Sequence, residues 1–114
     1  MAEERDLLDS LLMELRRGTL VLSVLSQMQE AKYGYALVQS MEEEGIFIDP
    51  NTLYPLLRRL EKQGLLESNW ETGGSKPRKY YQRTQYGDEI YQELKSQWKE
   101  IVKGMDNLLK EDET

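Results

Sequence analysis

A short basic segment is the part of the sequence whose residues are best suited to chemistry. Residues 72–84 contain no acidic side chain and four basic ones: Lys76, Arg78, Lys79 and Arg83. Cations gathered in one segment are typical of contacts with phosphate groups. The alternative is a solvated hairpin whose charges have no function, and the charges alone favour neither interpretation.

The net charge of −6 does not exclude a nucleic-acid partner, because the charge is unevenly distributed. Residues 1–31 hold six acids and three bases, and residues 85–114 hold eight acids and four bases. Residues 32–84 hold seven acids and eight bases. A polyanion is therefore expected to bind the middle of the chain and not its ends.

The chain contains neither cysteine nor histidine. Disulfides and thiolate nucleophiles are therefore excluded, as are the commonest general base and the commonest metal ligand. The sequence has no phosphate-binding glycine loop and no set of residues spaced for a metal ion. We expect neither an enzyme nor a protein that carries a cofactor or metal.

Length and hydropathy bound the remaining possibilities. A chain of 114 residues is long enough for one compact domain with a modest core, which dimerisation would help to stabilise. No stretch approaches 18 apolar residues, and the acidic N-terminus differs from a signal peptide. These features predict a cytoplasmic protein without a membrane partner.

The spacing of apolar residues predicts two helices before the middle of the chain. The first runs from Asp6 to about Glu30 and is one long helix, bent or broken at Gly18. Residues 32–34 interrupt the pattern. The second helix spans residues 35–44, and Gly45 is well placed to end it.

A third helix is predicted from Asp49 and Pro50 to residues 63–64, because Asp49 can cap it and Pro50 suits its first position. Its apolar stripe consists of Leu53, Leu56, Leu57 and Leu60. Pro55 cannot donate a hydrogen bond to the carbonyl of Asn51, so the first turn is expected to be kinked or loosened.

The remaining residues predict a β-hairpin and a long final helix. Strands are expected at 65–70 and 79–84, with a turn-rich basic tip between them. The final helix extends from residue 85 to about 110, and the tail 111–114 is expected to fray. Its heptad pattern predicts a dimer seam, which consists of Tyr91, Leu94, Trp98, Ile101, Met105 and Leu108.

The order helix, helix, helix, hairpin, helix predicts a mainly α fold with a small β-hairpin, namely a winged helix-turn-helix followed by a C-terminal dimerisation helix. Residues 1–84 would form the winged-helix DNA-binding domain. Residues 85–114 would form the dimerisation helix. In such a fold, the third helix enters the major groove by its N-terminal end.

Several segments resemble motifs of the PadR family of transcriptional regulators. Tyr33-Gly34-Tyr35-Ala36-Leu37 is similar to its YGYxL segment, and residues 51–61 (NTLYPLLRRLE) are similar to its recognition-helix motif. Residues 64–66 follow as in the family, and residues 73–87 resemble its wing. Arg83 departs from the pattern, because the family usually has an apolar residue there, and this affects wing packing.

The resemblance implies a winged-helix homodimer that usually represses transcription. It further implies that the N-terminal and C-terminal helices form the dimer. With one C-terminal helix, the chain resembles the short subfamily. Some short members resemble multidrug sensors whose paired C-terminal helices frame a flat pocket lined by tryptophan.

Trp98 lies at the matching position of this sequence, and Leu20 and Val21 would supply the other wall of such a pocket. A planar aromatic ligand would stack on Trp98. The alternative is that Trp98 fills the core of the dimer, because it occupies an a position of the heptad.

Six residues are predicted to contact DNA. They are Asn51, Thr52, Tyr54 and Arg58 on the third helix and Lys76 and Arg78 at the wing tip. Capping by Asn51 and Thr52, and packing by Tyr54, are the structural alternatives. Arg59 is expected to pair with nearby acids, and Lys79 to be structural.

The function predicted from these residues is that of a dimeric DNA-binding repressor. It would bind the half-sites of a pseudo-palindromic operator and be released by a small planar aromatic ligand between its terminal helices. The alternative is a winged-helix protein-interaction module without DNA-binding activity. The acidic total charge favours the alternative weakly, and the acid-free wing tip argues against it.

Overall fold

The computed structural model describes residues 2–74 and 76–110, and the predicted fraying of residues 111–114 lies outside them. A three-stranded antiparallel sheet in the order β1-β3-β2 packs beside the helices, as expected for a winged helix-turn-helix. The elements in chain order are α1 (Ala2–Arg17), α2 (Leu20–Ser26), β1 (Lys32–Tyr33), α3 (Gly34–Glu43), α4 (Pro50–Lys62), β2 (Leu66–Glu71), β3 (Arg78–Arg83) and α5 (Gln85–Leu109).

The predicted N-terminal helix is broken at Gly18 and not merely bent. α1 ends at Arg17, and the Thr19 hydroxyl donates a hydrogen bond of 2.7 Å to the carbonyl of Arg16. α2 ends at Ser26 and not near Glu30, where the expected helix ended. The physical reason for the break is that glycine and threonine both favour conformations other than the helix interior.

Two glycines end α3 and the recognition helix α4. Gly45 follows α3 and Gly64 follows α4, each with a φ of 82°. In both turns the residue after the glycine donates back to the helix, with Ile46 N 2.9 Å from Met41 O and Leu65 N 3.0 Å from Leu60 O. This left-handed ending is the one that glycine allows without strain, as predicted for Gly45.

The hydrophobic core lies between α2, α3, α4 and the sheet. Its largest fully buried side chains come from three helices, β2 and the loop after α2: Val24, Leu25, Met28, Leu37, Met41, Leu53, Leu57, Leu60 and Leu66. α5 adds three partly buried side chains at its start, Ile90, Tyr91 and Leu94. The core therefore fixes the recognition helix α4 against the rest of the fold.

β1 was not predicted, because two residues are too short to show the alternation of a strand. It pairs with β3 through Lys32 with Tyr81 and Tyr33 with Tyr80. The rings of Tyr33 and Tyr80 meet edge to face at 5.5 Å. β3 is thus the central strand, and the hairpin is attached to the residues that directly precede α3.

Each strand of the hairpin begins and ends within one residue of its predicted position. β2 begins at Leu66 because the amide of Leu65 closes the end of α4. β3 ends at Arg83 because Thr84 caps α5, accepting a hydrogen bond of 2.9 Å from the amide of Gly87. The Thr84 hydroxyl also donates to the carbonyl of Gly64 at 2.6 Å, which ties α5 to the end of α4.

Arg83 anchors the wing to two helices, a role larger than the change in wing packing expected from its departure from the family pattern. Its side chain is only 8% exposed. The guanidinium donates to Asp88 Oδ1 at 2.7 Å and to the carbonyl of Leu25 at 2.8 Å, and it lies 4.4 Å from the centre of the Tyr91 ring. β3, α2 and α5 therefore meet at this side chain.

The chain is elongated, with a radius of gyration of 17.0 Å where a compact domain of this length has about 13 Å. α1 has no buried residue, and every residue from 95 to 110 of the C-terminal segment is exposed. These two helices make the molecule longer than the compact domain expected from its length. Among the described residues, no helix combines the length and apolar composition needed to cross a membrane.

Candidate nucleic-acid interface

The first turn of α4 presents its polar residues to solvent. Asp49 caps the helix by accepting a hydrogen bond of 2.8 Å from the amide of Asn51, and Pro50 occupies the first helical position as predicted. Asn51 and Thr52 are exposed, and their side chains make no hydrogen bond to any described residue. Since Asp49 supplies the cap, both side chains are available to a ligand.

Tyr54 is held against the start of α3 while keeping part of its ring accessible. A Cβ atom placed on Gly34 would lie 2.5 Å from the Tyr54 ring, so this approach requires glycine. Tyr54 nevertheless remains 41% exposed. The packing predicted as the alternative is present, and the accessible part of the ring faces solvent beside α4.

A groove of about 700 Å³ connects the recognition helix with the wing. We call it the recognition groove; three of the predicted DNA contacts, Tyr54, Arg58 and Arg78, share it. The lining residues are Tyr33, Gly34, Tyr35, Tyr54, Arg58, Trp70, Arg78, Lys79 and Tyr81. The groove therefore joins side chains of α3, α4 and the hairpin on one concave surface.

The two wing cations lie at the edge of this surface. Arg78 is exposed, and its guanidinium lies 4.9 Å from the centre of the Tyr33 ring, which orients it. Lys76 is exposed and lines a smaller cavity of about 290 Å³ next to Arg78. Within residues 2–74 and 76–110, neither side chain forms an ion pair, although Glu71 lines the same small cavity.

Lys79 is engaged inside the molecule, in agreement with its predicted structural role. Its Nζ lies 3.4 Å from Glu61 Oε1 and 5.2 Å from the centre of the Tyr81 ring. The Tyr81 hydroxyl and the Glu61 carboxylate raise the pKa of Lys79 above its ordinary value. This lysine stabilises the packing of β3 on α4.

Arg58 and Arg59 are adjacent in sequence but line different cavities. Arg58 lines the recognition groove, whereas Arg59 lines a cavity on the other side of α4. The expectation that Arg59 pairs with nearby acids was wrong for the described part of the chain, where no carboxylate lies within ion-pair distance of it. Helical geometry separates neighbouring residues by about 100°, which accounts for the two directions.

Trp70 is a candidate contact that sequence reasoning missed. It lies on β2, is 62% exposed and lines the recognition groove. An indole this exposed on a wing offers a flat apolar surface and one hydrogen-bond donor. The sequence signal was its position in the strand. Trp70 follows Leu66 and Ser68 at intervals of two residues, so it lies on the same face of β2, which turns toward the protein.

The predicted ligand residues do not meet within one chain. Leu20 and Val21 line a cavity of about 650 Å³ between α1, α2 and α4, and Trp98 does not contribute to it. Trp98 lies on the outer part of α5 and is 41% exposed. We call this space the α1–α4 cavity; its lining residues are Met13, Arg16, Arg17, Leu20, Val21, Phe47, Ile48, Asp49, Thr52, Pro55, Leu56 and Arg59.

The predicted dimer seam divides into two parts. Tyr91 and Leu94 pack against the core of their own chain. The remaining members are exposed: Trp98, Ile101, Met105 and Leu108. The first turns of α5 therefore hold the helix on the domain, and the later turns present an apolar face without a partner in the described chain.

Comparison with known proteins identifies the family. A profile of the Transcriptional regulator PadR-like family matches residues 21–103. The chain belongs to this PadR-like family. The transcriptional regulator Rv3488 of Mycobacterium tuberculosis is 33% identical over 75 residues, which are 65% of this chain and 70% of that protein. These matches confirm the resemblance found in the sequence.

Solved PadR structures show the same fold. The crystal structure of a PadR family transcriptional regulator from Eggerthella lenta is 53% identical, with a TM-score of 0.88 over 96% of this chain and 97% of that chain. PadR of Bacillus subtilis in complex with operator DNA is 22% identical, with a TM-score of 0.63 over 67% of this chain and 45% of that chain. At that identity the second likeness concerns the fold. These homologues are transcriptional regulators and not enzymes, as expected.

Proposed function

We propose that this PadR family member is a homodimeric DNA-binding repressor of transcription. The observation that carries the proposal is the recognition groove, in which Arg58 of α4 and Arg78 of the wing lie on one surface with Tyr54. The existence of an operator complex for Bacillus subtilis PadR supports the choice of partner. Occupation of an operator by such a dimer would exclude other proteins from the same DNA.

The contacts divide by chemistry. Asn51 and Thr52, in the exposed first turn of α4, reach base edges in the major groove. Arg58 contacts a phosphate or a guanine edge from the same helix. Lys76 and Arg78 bind phosphates, because exposed cations at a wing tip neutralise the backbone and do not read its sequence.

The second copy is bound by the helices that are exposed in one chain. α1 leaves leucines such as Leu11 and Leu15 exposed, and the outer part of α5 leaves Trp98, Ile101 and Met105 exposed. Neighbouring exposed apolar side chains of this kind are typical of association surfaces. In this proposal residues 1–84 form the DNA-binding domain, with α1 also in the interface, and residues 85–114 form the dimerisation helix.

Such a dimer binds a pseudo-palindromic operator whose half-sites lie about one helical turn, or about 10–10.5 base pairs, apart. A planar aromatic ligand that stacks on Trp98 between the terminal helices releases the operator if it favours a different spacing of the two α4 helices. The half-exposed indole of Trp98 supports this ligand class, because its flat face is accessible.

The proposal is tested by selecting DNA duplexes from a random library and measuring their affinity by fluorescence anisotropy at several salt concentrations. Each phosphate contact contributes about 0.9 to the slope of log affinity against log salt. The double variant Lys76→Ala/Arg78→Ala should lower that slope by about 1.8 per protomer. Lys103→Ala, an exposed lysine on α5, is the matched control.

Two results would contradict the proposal. If the library yields no preferred duplex and the affinity for unselected DNA does not depend on salt concentration, the chain is a protein-interaction module. If the double variant and the control change the slope equally, the wing does not contact DNA. Sedimentation of both variants verifies that the dimer is intact.

A further inference from the structure

One acid of the wing stands directly opposite a cation that the proposed function assigns to DNA. Glu71 is the last residue of β2, and in the strand register its partner is Arg78, the first residue of β3. The Cβ atoms of side chains in such positions lie about 4.5–5.5 Å apart, and opposite charges there attract one another. Glu71 is therefore an internal competitor for the Arg78 guanidinium.

The expected ion pair is not formed. None of the ion pairs within residues 2–74 and 76–110 joins Glu71 to Arg78. The guanidinium lies instead 4.9 Å from the centre of the Tyr33 ring. Tyr33 belongs to β1, which pairs with the edge of β3 opposite to β2. Arg78 is thus turned away from its neighbour on β2 and toward the strand on the other side.

Glu71 has a partner of its own, the hydroxyl of Tyr80. Tyr80 follows Arg78 by two residues in β3, so both side chains lie on the same face of the strand. Glu71 and Tyr80 together line two cavities, of about 290 and 350 Å³. The pKa of Tyr80 is raised above its ordinary value, mainly because the Glu71 carboxylate lies within hydrogen-bonding reach of its hydroxyl. The acid and the base therefore have separate partners, a hydroxyl and an aromatic ring.

We propose that Tyr80 is a positioning residue of the wing, whose hydroxyl keeps the Glu71 carboxylate away from Arg78 so that the guanidinium remains available to a phosphate. The Tyr80 ring has a second task, because it meets the Tyr33 ring edge to face at 5.5 Å and supports the surface on which Arg78 stacks. Tyr80 acts through these neighbours and not by touching DNA. The role rests on the proposed function, which assigns a phosphate to Arg78.

Tyr80→Phe separates the two tasks, because it removes the hydroxyl and retains the ring. Glu71 then pairs with Arg78, and a phosphate has to displace it. The affinity of the full chain for a fluorescein-labelled duplex of mixed sequence, measured by anisotropy at one salt concentration, should fall by about two- to fivefold per protomer. This is the range typical of a solvent-exposed ion pair. With Glu71→Gln already in place, Tyr80→Phe should not change the affinity, since no competing charge remains.

Glu67→Gln is the matched control. Glu67 is exposed, lies on the same face of β2 as Glu71, and stands opposite the uncharged Gln82. This substitution removes the same charge from the same strand, but it leaves the acid beside Arg78 in place. With Glu67→Gln in place, Tyr80→Phe should therefore cause its full two- to fivefold loss of affinity.

A measurement without DNA examines the contact itself. In an NMR titration of the chain carrying isotope-labelled tyrosine, Glu71→Gln should lower the pKa of Tyr80 toward its ordinary value, because it removes the carboxylate that raises this pKa. Glu67→Gln should leave the pKa of Tyr80 unchanged. The result does not depend on whether the chain binds DNA.

Each part of the inference can be overturned separately. If Glu71→Gln leaves the pKa of Tyr80 unchanged, the hydroxyl does not hold the carboxylate. If Tyr80→Phe lowers DNA affinity equally with and without Glu71→Gln, Tyr80 acts through packing alone, and if it lowers the affinity in neither case, Arg78 does not depend on Tyr80. If the parent chain binds no duplex although the titration shifts as expected, the proposed function fails and the positioning role with it, whereas the contact between Tyr80 and Glu71 stands.

Discussion

Replacing Gly87 with alanine should destabilise the fold by about 2 kcal/mol. A Cβ atom at this position would lie 2.0 Å from the carbonyl oxygen of Leu65, where ordinary contacts begin at 3.4 Å. The start of α5 and the end of the α4–β2 turn must therefore separate by about 1.4 Å. Overpacking of this kind costs about 1–3 kcal/mol. Alanine returns up to about 1 kcal/mol through its higher helix propensity.

The overpacking cost is expected near the upper end of that range because a backbone carbonyl meets a Cβ fixed directly to the backbone, and neither can rotate away. The separation also strains the two hydrogen bonds of Thr84, to Gly87 and to Gly64. Urea unfolding followed by far-ultraviolet circular dichroism, at one fixed chain concentration, measures the change in the free energy of unfolding.

Gly104 provides the control in the same helix. Apart from the neighbouring residues and the backbone of its own helix, nothing in the described chain lies within 4 Å of a Cβ placed there. Gly104→Ala should therefore stabilise the protein by up to about 1 kcal/mol, so that the two substitutions have opposite signs. The reasoning is refuted if Gly87→Ala is as stable as the parent, or if both variants shift stability in the same direction.

Three further substitutions have defined outcomes. Arg83→Leu should lower the free energy of unfolding by about 1–3 kcal/mol, because it removes the exposed hydrogen bond to Asp88 and the part-buried one to the carbonyl of Leu25; greater stability in urea would contradict this. Asp49→Ala should cost about 0.5–2 kcal/mol and weaken DNA binding by anisotropy, since α4 loses its cap. Trp98→Ala should weaken dimerisation or the response to planar ligands, and a variant with unchanged sedimentation and ligand titration would exclude both roles.

The helices α3 and α4 and their ends were predictable because their causes are local. Asp49 and Pro50 begin α4, and Gly45 and Gly64 end α3 and α4, through contacts within a few residues. Apolar periodicity then identified the buried face of α4. These signals occupy short windows of sequence, and the structure places the corresponding elements within about one residue of their expected positions.

The features that sequence reasoning missed depend on partners distant in the chain. β1 exists because Lys32 and Tyr33 pair with residues almost fifty positions later. Arg83 is buried because it reaches the carbonyl of Leu25, 58 residues earlier. No local pattern distinguishes such an arginine from a solvated one.

The residues of the site were predictable from the sequence, but which of them lie together was not. A helical period shows that Arg58 and Arg59 point in different directions, but only the placement of α1 makes the second direction a cavity. Likewise, a heptad pattern is the same whether its members pack within the chain, as Tyr91 does, or against a second copy. The identity of the partner is information that periodicity does not contain.

The central position of β3 has a mechanical consequence. Because β3 is bonded on one side to β2 and on the other to β1, the base of the wing is fixed to the residues that directly precede α3. Each DNA-binding unit therefore has few internal degrees of freedom. In the proposed dimer, one added base pair between half-sites rotates the second half-site by about 34°, on the basis of about 10.5 base pairs per turn. That rotation would have to be absorbed by the paired terminal helices, so tolerance of operator spacing reports the stiffness of the dimer interface.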